Sequence, residues 1–452
     1  MEGIASVHGI TLGEEKRWLP SGDFFFFDDL AGVGTPANSH LGMGGGRRLW
    51  IDLRLMVCLW AGLLDVGVPS TSTHGVCCGE RLSCTGAASK CCSTRWSPMC
   101  LRGGRPQEEC GPMAVDSNDA HSAGRGLRNA APEPRVVALG GFVMGSESDR
   151  VTDVVESFSP HQGGWKKEPH LPVVTAGHCA ETMHDSMYVM GGHDMRFLEH
   201  EQTVANPSDP ARAAEYVWPT LDSVWRLDTA RGQWLPAPSM FARCTAFGSA
   251  AIDGRIYVAG GFNGEDFVSS FESFDPRERT WRRLPAFPRP RSALAMSAVQ
   301  AGGGSYLVAC GGIAIGPGEG GGMLDLVDIF DVRKGAWVEG PAMLGVRSGS
   351  AAASLDDKLY VMGGVGTNGA LGGVEIFDIR TLKWQRDLSD AMCTPRSSLA
   401  AVAFRDSIIT LGGYDRQGEP SDVVEIYDLE RGWREGPNLS FARGMLAATL
   451  SQ

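Results

Sequence analysis

No apolar run in these 452 residues is long enough to cross a bilayer as a helix. Within the apolar stretch 49–68, Asp52, Arg54 and Asp65 leave only Leu55 to Leu64 uncharged, about half of the ~20 residues a span needs. The first twenty residues contain no apolar core of a secretion signal. Basic charge is short as well: 41 Lys and Arg face 53 Asp and Glu, a net charge of −12, with no run of Lys or Arg. A nucleic-acid binder needs a basic face, so that class is excluded, and no membrane partner is expected. Catalytic motifs are missing too: there is no Gly-rich phosphate loop, nucleophile elbow or metal triad. Glycine is abundant at 60 residues, but it falls in pairs rather than at every third position, which excludes a collagen-like chain.

Cysteine divides the chain. Eight of the twelve precede residue 111, and Cys77, Cys78, Cys84, Cys91, Cys92, Cys100 and Cys110 form a cluster. Their intervals resemble those of small knotted toxins, but the number is odd and the paired C-x-x-C knuckles of a zinc ribbon are absent. Residues 1–134 are rich in glycine, poorly periodic and contain Phe24 to Phe27 in one run, so this segment is expected to be disordered. The later cysteines, Cys179, Cys244, Cys310 and Cys393, stand alone. Scattered single cysteines fit small buried apolar side chains in a reducing compartment, the cytoplasm or nucleus.

From residue 135 onward the chain repeats. Gly-Gly pairs close apolar runs at Gly140-Gly141, Gly191-Gly192, Gly260-Gly261, Gly311-Gly312, Gly363-Gly364 and Gly412-Gly413. A tryptophan follows each pair: Trp165, Trp234, Trp281, Trp337, Trp384 and Trp433. Each unit reads as four short strands. The first opens on a basic residue and runs through small ones, as from Arg347 to Leu355; the second ends in the glycines; the third places an acid before an aromatic, as in Glu375 and Phe377; the fourth carries the tryptophan. Such four-stranded units at this period make propeller blades. The repeat region begins with a second strand at Arg135 and ends with a first strand after Arg443. The carboxyl-terminal strand therefore completes the first blade, and the expected fold is an all-β, six-bladed propeller over 135–452.

A period near 50 with paired glycine and a trailing tryptophan resembles the kelch repeat. The run Gly260-Gly261-Phe262-Asn263-Gly264, then Phe271 to Pro276, Trp281 and Pro290-Arg291 resembles the propellers of the BTB–kelch (Kelch-like) ubiquitin-ligase adaptors. The resemblance covers the propeller alone, since 134 residues do not hold both a BTB and a BACK domain at ordinary sizes. It implies a protein-interaction module, a substrate-recognition or scaffold subunit such as a ligase adaptor working with a cullin-type ligase. Other kelch proteins bind actin, which gives a cytoskeletal alternative. Copper oxidases with this fold need two tyrosines and two histidines about the axis; only Tyr414 and His193 qualify, so neither enzyme activity nor a cofactor or metal is expected.

The strand order brings the start of each first strand and the end of each second strand to one face. Arg243, Arg291, Arg347, Arg396 and Arg443 open first strands, while Phe142, His193, Phe262, Ile313, Val365 and Tyr414 follow the glycine pairs. Arginines interleaved with aromatics are expected to receive an acidic peptide. The competing expectation is that the arginines pair internally with the acids Glu156, Glu272, Asp328, Glu375 and Glu425. The glycines and tryptophans are expected to be structural. Blade two carries an insertion between His193 and Thr220, with Glu199, His200 and Glu201, expected to project from the same face as a recognition loop.

Overall fold

The computed structural model describes residues 133–144, 150–159, 163–194, 219–229, 231–314 and 322–451, and the segment 1–132 with its cysteine cluster lies outside them. Among the described residues there is no helix; six four-stranded antiparallel sheets succeed one another as blades. From the axis outward, blade one is Ala447–Ser451, Arg135–Leu139, Val155–Phe158 and Trp165–Glu168. Blade two is Cys179–Met183, Ser186–Met190, Val224–Asp228 and Gln233–Ala237, and blade three is Gly248–Ile252, Arg255–Ala259, Phe271–Asp275 and Thr280–Arg283. Blades four to six begin with Ala295–Ala301, Ala351–Leu355 and Ala400–Phe404. The six-bladed fold and its closure stand as the repeat pattern implied. Arg135 pairs with Ser451 and Leu139 with Ala447, so the last strand of the chain completes the first blade.

Burial follows from strand alternation and from packing on both sides. Second strands are buried almost end to end, as in Arg255–Ala259 and Lys358–Met362, because neighbouring blades cover both faces. The core therefore lies between blades. One cluster joins Ala295, Val308, Cys310 and Ile329 of blade four to Leu359, Val361 and Phe377 of blade five. The indole N–H of Trp165 donates to Pro437 O at 2.7 Å, Trp234 to Pro169 O at 3.0 Å, Trp281 to Pro238 O at 2.7 Å and Trp384 to Pro341 O at 2.9 Å. Each of these bonds runs to the preceding blade. Trp337 and Trp433 are packed likewise but their N–H groups find no partner among the described residues.

At the axis a ring of backbone hydrogen bonds joins the blades. Gly177 N–H donates to Met445 O, Ala246 to Gly177, Ala293 to Ala246, Gly349 to Ala293, Ser398 to Gly349 and Met445 to Ser398, at 2.7–2.9 Å. All six residues have φ between +48° and +62°. That left-handed conformation costs a non-glycine residue about 1–2 kcal/mol, which Ala246, Ala293, Ser398 and Met445 all bear. The glycine pairs are required where blades meet: Gly311 has φ +63°, and a Cβ there would lie 2.4 Å from Arg347 O.

Removing residues 443–452 takes away both the first strand of blade one and Met445, a member of the axial ring. It also strands the buried Glu156, and breaking one such pair alone costs about 3–5 kcal/mol. The truncated chain is expected to lose cooperative thermal unfolding, measured by circular dichroism and calorimetry. A melting temperature equal to that of the full chain would show that the ring does not close through these residues.

Candidate partner-binding face

Two sets of loops emerge on one face: those joining second to third strands, and those joining each blade to the next. The short turns within strand pairs, such as His184-Asp185 and Asp356-Asp357, emerge on the opposite face. At the inner margin of the loop face, the second glycine of each pair donates its N–H to Thr175, Cys244, Arg291, Arg347, Arg396 or Arg443 carbonyl oxygen at 2.9 Å. These six residues are therefore equivalent around the axis.

Arg291, Arg396 and Arg443 are fully buried, and Arg347 is 4 % exposed. Each guanidinium joins a glycine carbonyl and a carboxylate of its own blade. Arg396 donates through Nη1 to Gly412 O at 2.7 Å and Val423 O at 2.8 Å, and through Nη2 to Glu425 Oε2 at 2.7 Å. Arg443 reaches Gly140 O at 3.0 Å and Glu156 Oε1 at 2.6 Å. Arg347 reaches Gly363 O at 3.0 Å and Glu375 Oε1 at 2.7 Å, and Arg291 reaches Gly311 O at 2.8 Å and Asp328 Oδ2 at 2.7 Å. Burial pulls the Arg291, Arg396 and Arg443 guanidinium groups below the usual arginine range, and the paired carboxylate opposes that shift. The expectation that these four meet an acidic peptide gives way to the internal pairing. Their charge is used to fasten the glycine turn, and no surface remains for a ligand.

Arg243 is a correction of one residue. Its side chain is exposed, and the buried equivalent of the other arginines is Cys244. The carboxylate that would face an arginine, Glu272, remains buried and accepts from Phe241 N–H at 2.9 Å and Ala242 N–H at 3.1 Å. Burial raises its pKa above the ordinary carboxylate value. Blade two has lost both partners together: Thr175 donates its hydroxyl to Gly191 O at 3.1 Å, and Trp225 stands opposite Val189 where Glu272 stands opposite Val258. Replacing a buried pair whole avoids the stranded charge that a single loss leaves.

The residues after the glycine pairs are also interior. Phe142, His193, Phe262, Ile313, Val365 and Tyr414 are at most 6 % exposed, and Phe142, Phe262 and Tyr414 pack with Ala176 and Met445 in one cluster about the axis. They plug the loop-face end of the channel, so the aromatic contacts expected for a partner are used up within the fold. The His193 ring shares a 2.9 Å hydrogen bond with Thr245. Past the plug, a cavity of about 100 Å³ is lined by the axial ring with His178, Phe247, Leu294, Ser350, Leu399 and Leu446. Residues 195–218 of the blade-two insertion, with Glu199, His200 and Glu201, lie outside the described residues.

Cys179, Cys244 and Cys310 behave as small apolar groups, their thiols pushed up to about 12 by burial. Cys393 departs from that expectation and is exposed. Among the described residues no three His, Cys, Asp or Glu side chains come together to hold a metal ion.

The exposed side chains of this face belong to positions the motif reading passed over. In each inter-blade loop a buried apolar residue (Leu171, Met240, Phe287, Met343, Met392 or Leu439) anchors the chain. The next residue is exposed in every blade: Pro172, Phe241, Pro288, Leu344, Cys393 and Ser440. Phe241 is 52 % exposed and Leu344 50 %, both large apolar groups displayed on this face. A sequence signal was present, since in five repeats a proline stands two residues before the anchor, as Pro238 before Met240 and Pro341 before Met343.

The repeat, the closed ring of blades and the glycine–tryptophan framework define a six-bladed β-propeller. A family model described as the Kelch motif matches residues 243–288, 347–386 and 395–440. The chain is similar to Kelch-like protein 35 of Mus musculus, 24 % identical over 330 residues that cover 71 % of this chain and 50 % of that protein. It is similar to Kelch domain-containing protein 8B of Bos taurus at 31 % identity over 173 residues, 36 % of this chain and 47 % of that one. Alpha-scruin of Limulus polyphemus is 25 % identical over 268 residues, 57 % of this chain and 27 % of that protein. The chain thus spans about half the length of the Kelch-like relatives it matches.

Two measurements test this description. Arg396→Met strands the buried Glu425 and is expected to cost about 3–5 kcal/mol, whereas Arg396→Met with Glu425→Gln costs less than the sum of the two single changes by at least about 1 kcal/mol. Denaturant unfolding of the three variants gives both numbers; additive costs would remove the pairing argument. The second concerns His178, which is 5 % exposed, occupies a position that is Leu399 or Leu446 in other blades, and is lowered to about 3 by burial, then by His193 and Arg443. The unfolded chain takes up that proton near pH 6.5 and the folded chain refuses it, so stability falls as pH drops from about 6.5 toward 3. His178→Leu is expected to flatten the fall, read as melting temperature against pH; an unchanged slope assigns it elsewhere.

Proposed function

We propose that this protein is an interaction module that binds a partner protein through the loop face of its propeller, as the substrate-recognition subunit of a larger assembly such as a ubiquitin ligase. The observation that carries the reading is the exposed position after each buried anchor. The fold holds this position out of the core at every blade and varies what fills it, apolar in Phe241 and Leu344, polar in Ser440 and proline in Pro172 and Pro288. Side chains held out of the core on a fixed frame are the usual material of a recognition surface. The similarity to Kelch-like proteins supports the adaptor form of the proposal. The similarity to alpha-scruin supports the second form, a cytoskeletal kelch protein that binds actin.

Affinity capture from cell lysate with the full chain, and with Phe241→Asp plus Leu344→Asp, tests the face. Both residues are half-exposed, so melting is expected to hold while the captured partner is lost. A cullin-type scaffold among the captured proteins favours the adaptor form, and co-sedimentation with actin filaments favours the cytoskeletal one. Retention of the same partner by the double variant would move the binding site off this face.

A further inference from the structure

Asparagine is followed by glycine twice in the chain, at Asn263-Gly264 and at Asn368-Gly369. Both pairs lie in loops that join a second strand to a third, in blades three and five, and so on the loop face. The pairing matters chemically. Glycine has no Cβ to shield its backbone nitrogen, which can therefore approach the side-chain carbonyl carbon of the residue before it and close a five-membered ring. Gly264 has φ +102° and Gly369 φ +92°, so backbone conformation at the glycine does not separate the two pairs. The surroundings of the asparagines do.

Asn263 is clamped. Its Oδ1 accepts the N–H of Glu265 and that of Asp266, each at 2.8 Å, and its own carbonyl accepts the Thr220 hydroxyl at 2.7 Å. The side chain is half-buried and Gly264 is buried. Turning Asn263 Cγ toward the Gly264 nitrogen would break both bonds to Oδ1. Asn368 has no such restraint. It stands with Thr367 at the tip of the small hairpin formed by Val365–Gly366 and Gly369–Ala370, and both tip residues are exposed. Its side chain makes no hydrogen bond among the described residues. The space over Gly369 is open, since a Cβ there would meet no atom within 4 Å.

We propose that Asn368 is a site of spontaneous deamidation in the folded protein, with water as the co-reactant, and that Asn263 is protected from the same reaction. The Gly369 backbone nitrogen gives up its proton and attacks Asn368 Cγ. The new N–C bond forms as the Cγ–Nδ2 bond breaks, and the side-chain nitrogen takes up a proton and leaves as ammonia. Water then opens the cyclic imide. Attack at Cγ gives aspartate; attack at the main-chain carbonyl carbon gives isoaspartate, whose backbone runs on through Cβ and Cγ. A water is consumed and an ammonia released, with no change of oxidation state. Either product adds a negative charge to the loop face. Isoaspartate also lengthens the main chain between Gly366 and Gly369 and disturbs their pairing at the hairpin tip.

The test incubates the full chain at neutral and at mildly alkaline pH and follows the tryptic peptides that hold Asn263 and Asn368 by mass spectrometry, with aspartate and isoaspartate separated by chromatography. Asn368 is expected to deamidate about tenfold faster than Asn263, the factor supplied by the two hydrogen bonds that Asn263 must give up. The alkaline sample is expected to react faster, because the attacking nitrogen must first lose its proton. In denaturant the two sites are expected to react at similar rates, since both precede glycine and neither is held. Asn368→Gln places the amide one methylene further from the Gly369 nitrogen and is expected to remove most of the ammonia released by the folded chain, with an unchanged melting temperature. Asn368 left intact in the folded chain over a time that converts the unfolded one overturns the proposal. So do equal rates at the two sites in the folded chain, and so does an ammonia yield that Asn368→Gln leaves unchanged.

Discussion

A propeller has no end strand to spare, and the constraint on which everything else rests is the closure of its innermost circle. Six backbone hydrogen bonds run head to tail from Gly177 round to Met445, joining blades through main chain and not through side chains. Each member must take the left-handed conformation so that its N–H points to one neighbour and its carbonyl to the other. The cost is borne because the circle completes only when every member takes part, so no blade can relax independently. Met445 brings the far end of the chain into this circle beside Gly177, which makes the carboxyl-terminal strand part of the first blade's structure.

The arginines are consequences of that closure. Once the second glycine of a pair gives its N–H to the residue at the head of the next blade's first strand, that residue is committed to the interior. In five of the six blades the side chain at that head donates to the carbonyl of the first glycine in its own blade. Arginine does this and reaches a carboxylate at the same time, as Arg396 does with Gly412 and Glu425. Threonine does the first task alone at Thr175, and there the acid has given way to Trp225. Blade three shows the intermediate state: Cys244 supplies no such donor, Glu272 persists, and two loop N–H groups hold its carboxylate.

The strands, the blade count and the closure were legible because each leaves a local mark: a glycine pair where backbones meet, a tryptophan where blades pack, an unmatched strand at either end. The site was legible only as far as the face. Sequence places Arg347 and Tyr414 at the correct end of their strands, but depth depends on where the loop path runs, and 0 % exposure for Tyr414 is decided by packing against Gly444 and its neighbours. The one-residue error at Arg243 has the same origin. Any arginine near the strand start satisfies the motif, yet only the residue whose carbonyl meets Gly192 enters the interior, and that residue is Cys244. Phe241 and Leu344 escaped notice because an isolated apolar residue in a loop looks like core until the buried neighbours Met240 and Met343 are seen to fill that place.

The division of labour between adjacent residues has a consequence for how such a fold changes partners. Met343 fills the core, Leu344 faces solvent, and the bond from Met343 N–H to Asp325 O holds both loops in place through main chain. A substitution at Leu344 or in the Asp325 side chain therefore alters what the face presents without touching the axial ring, the arginine pairs or the inter-blade core. Changes at Arg347, three residues further on, would unfasten the blade instead. Residues of structural and recognition value alternate within one short loop, so the binding chemistry of the face can be rewritten while the propeller is conserved. The apolar character seen at Phe241 and Leu344 is then a property of the displayed positions, independent of the charged residues that build the frame.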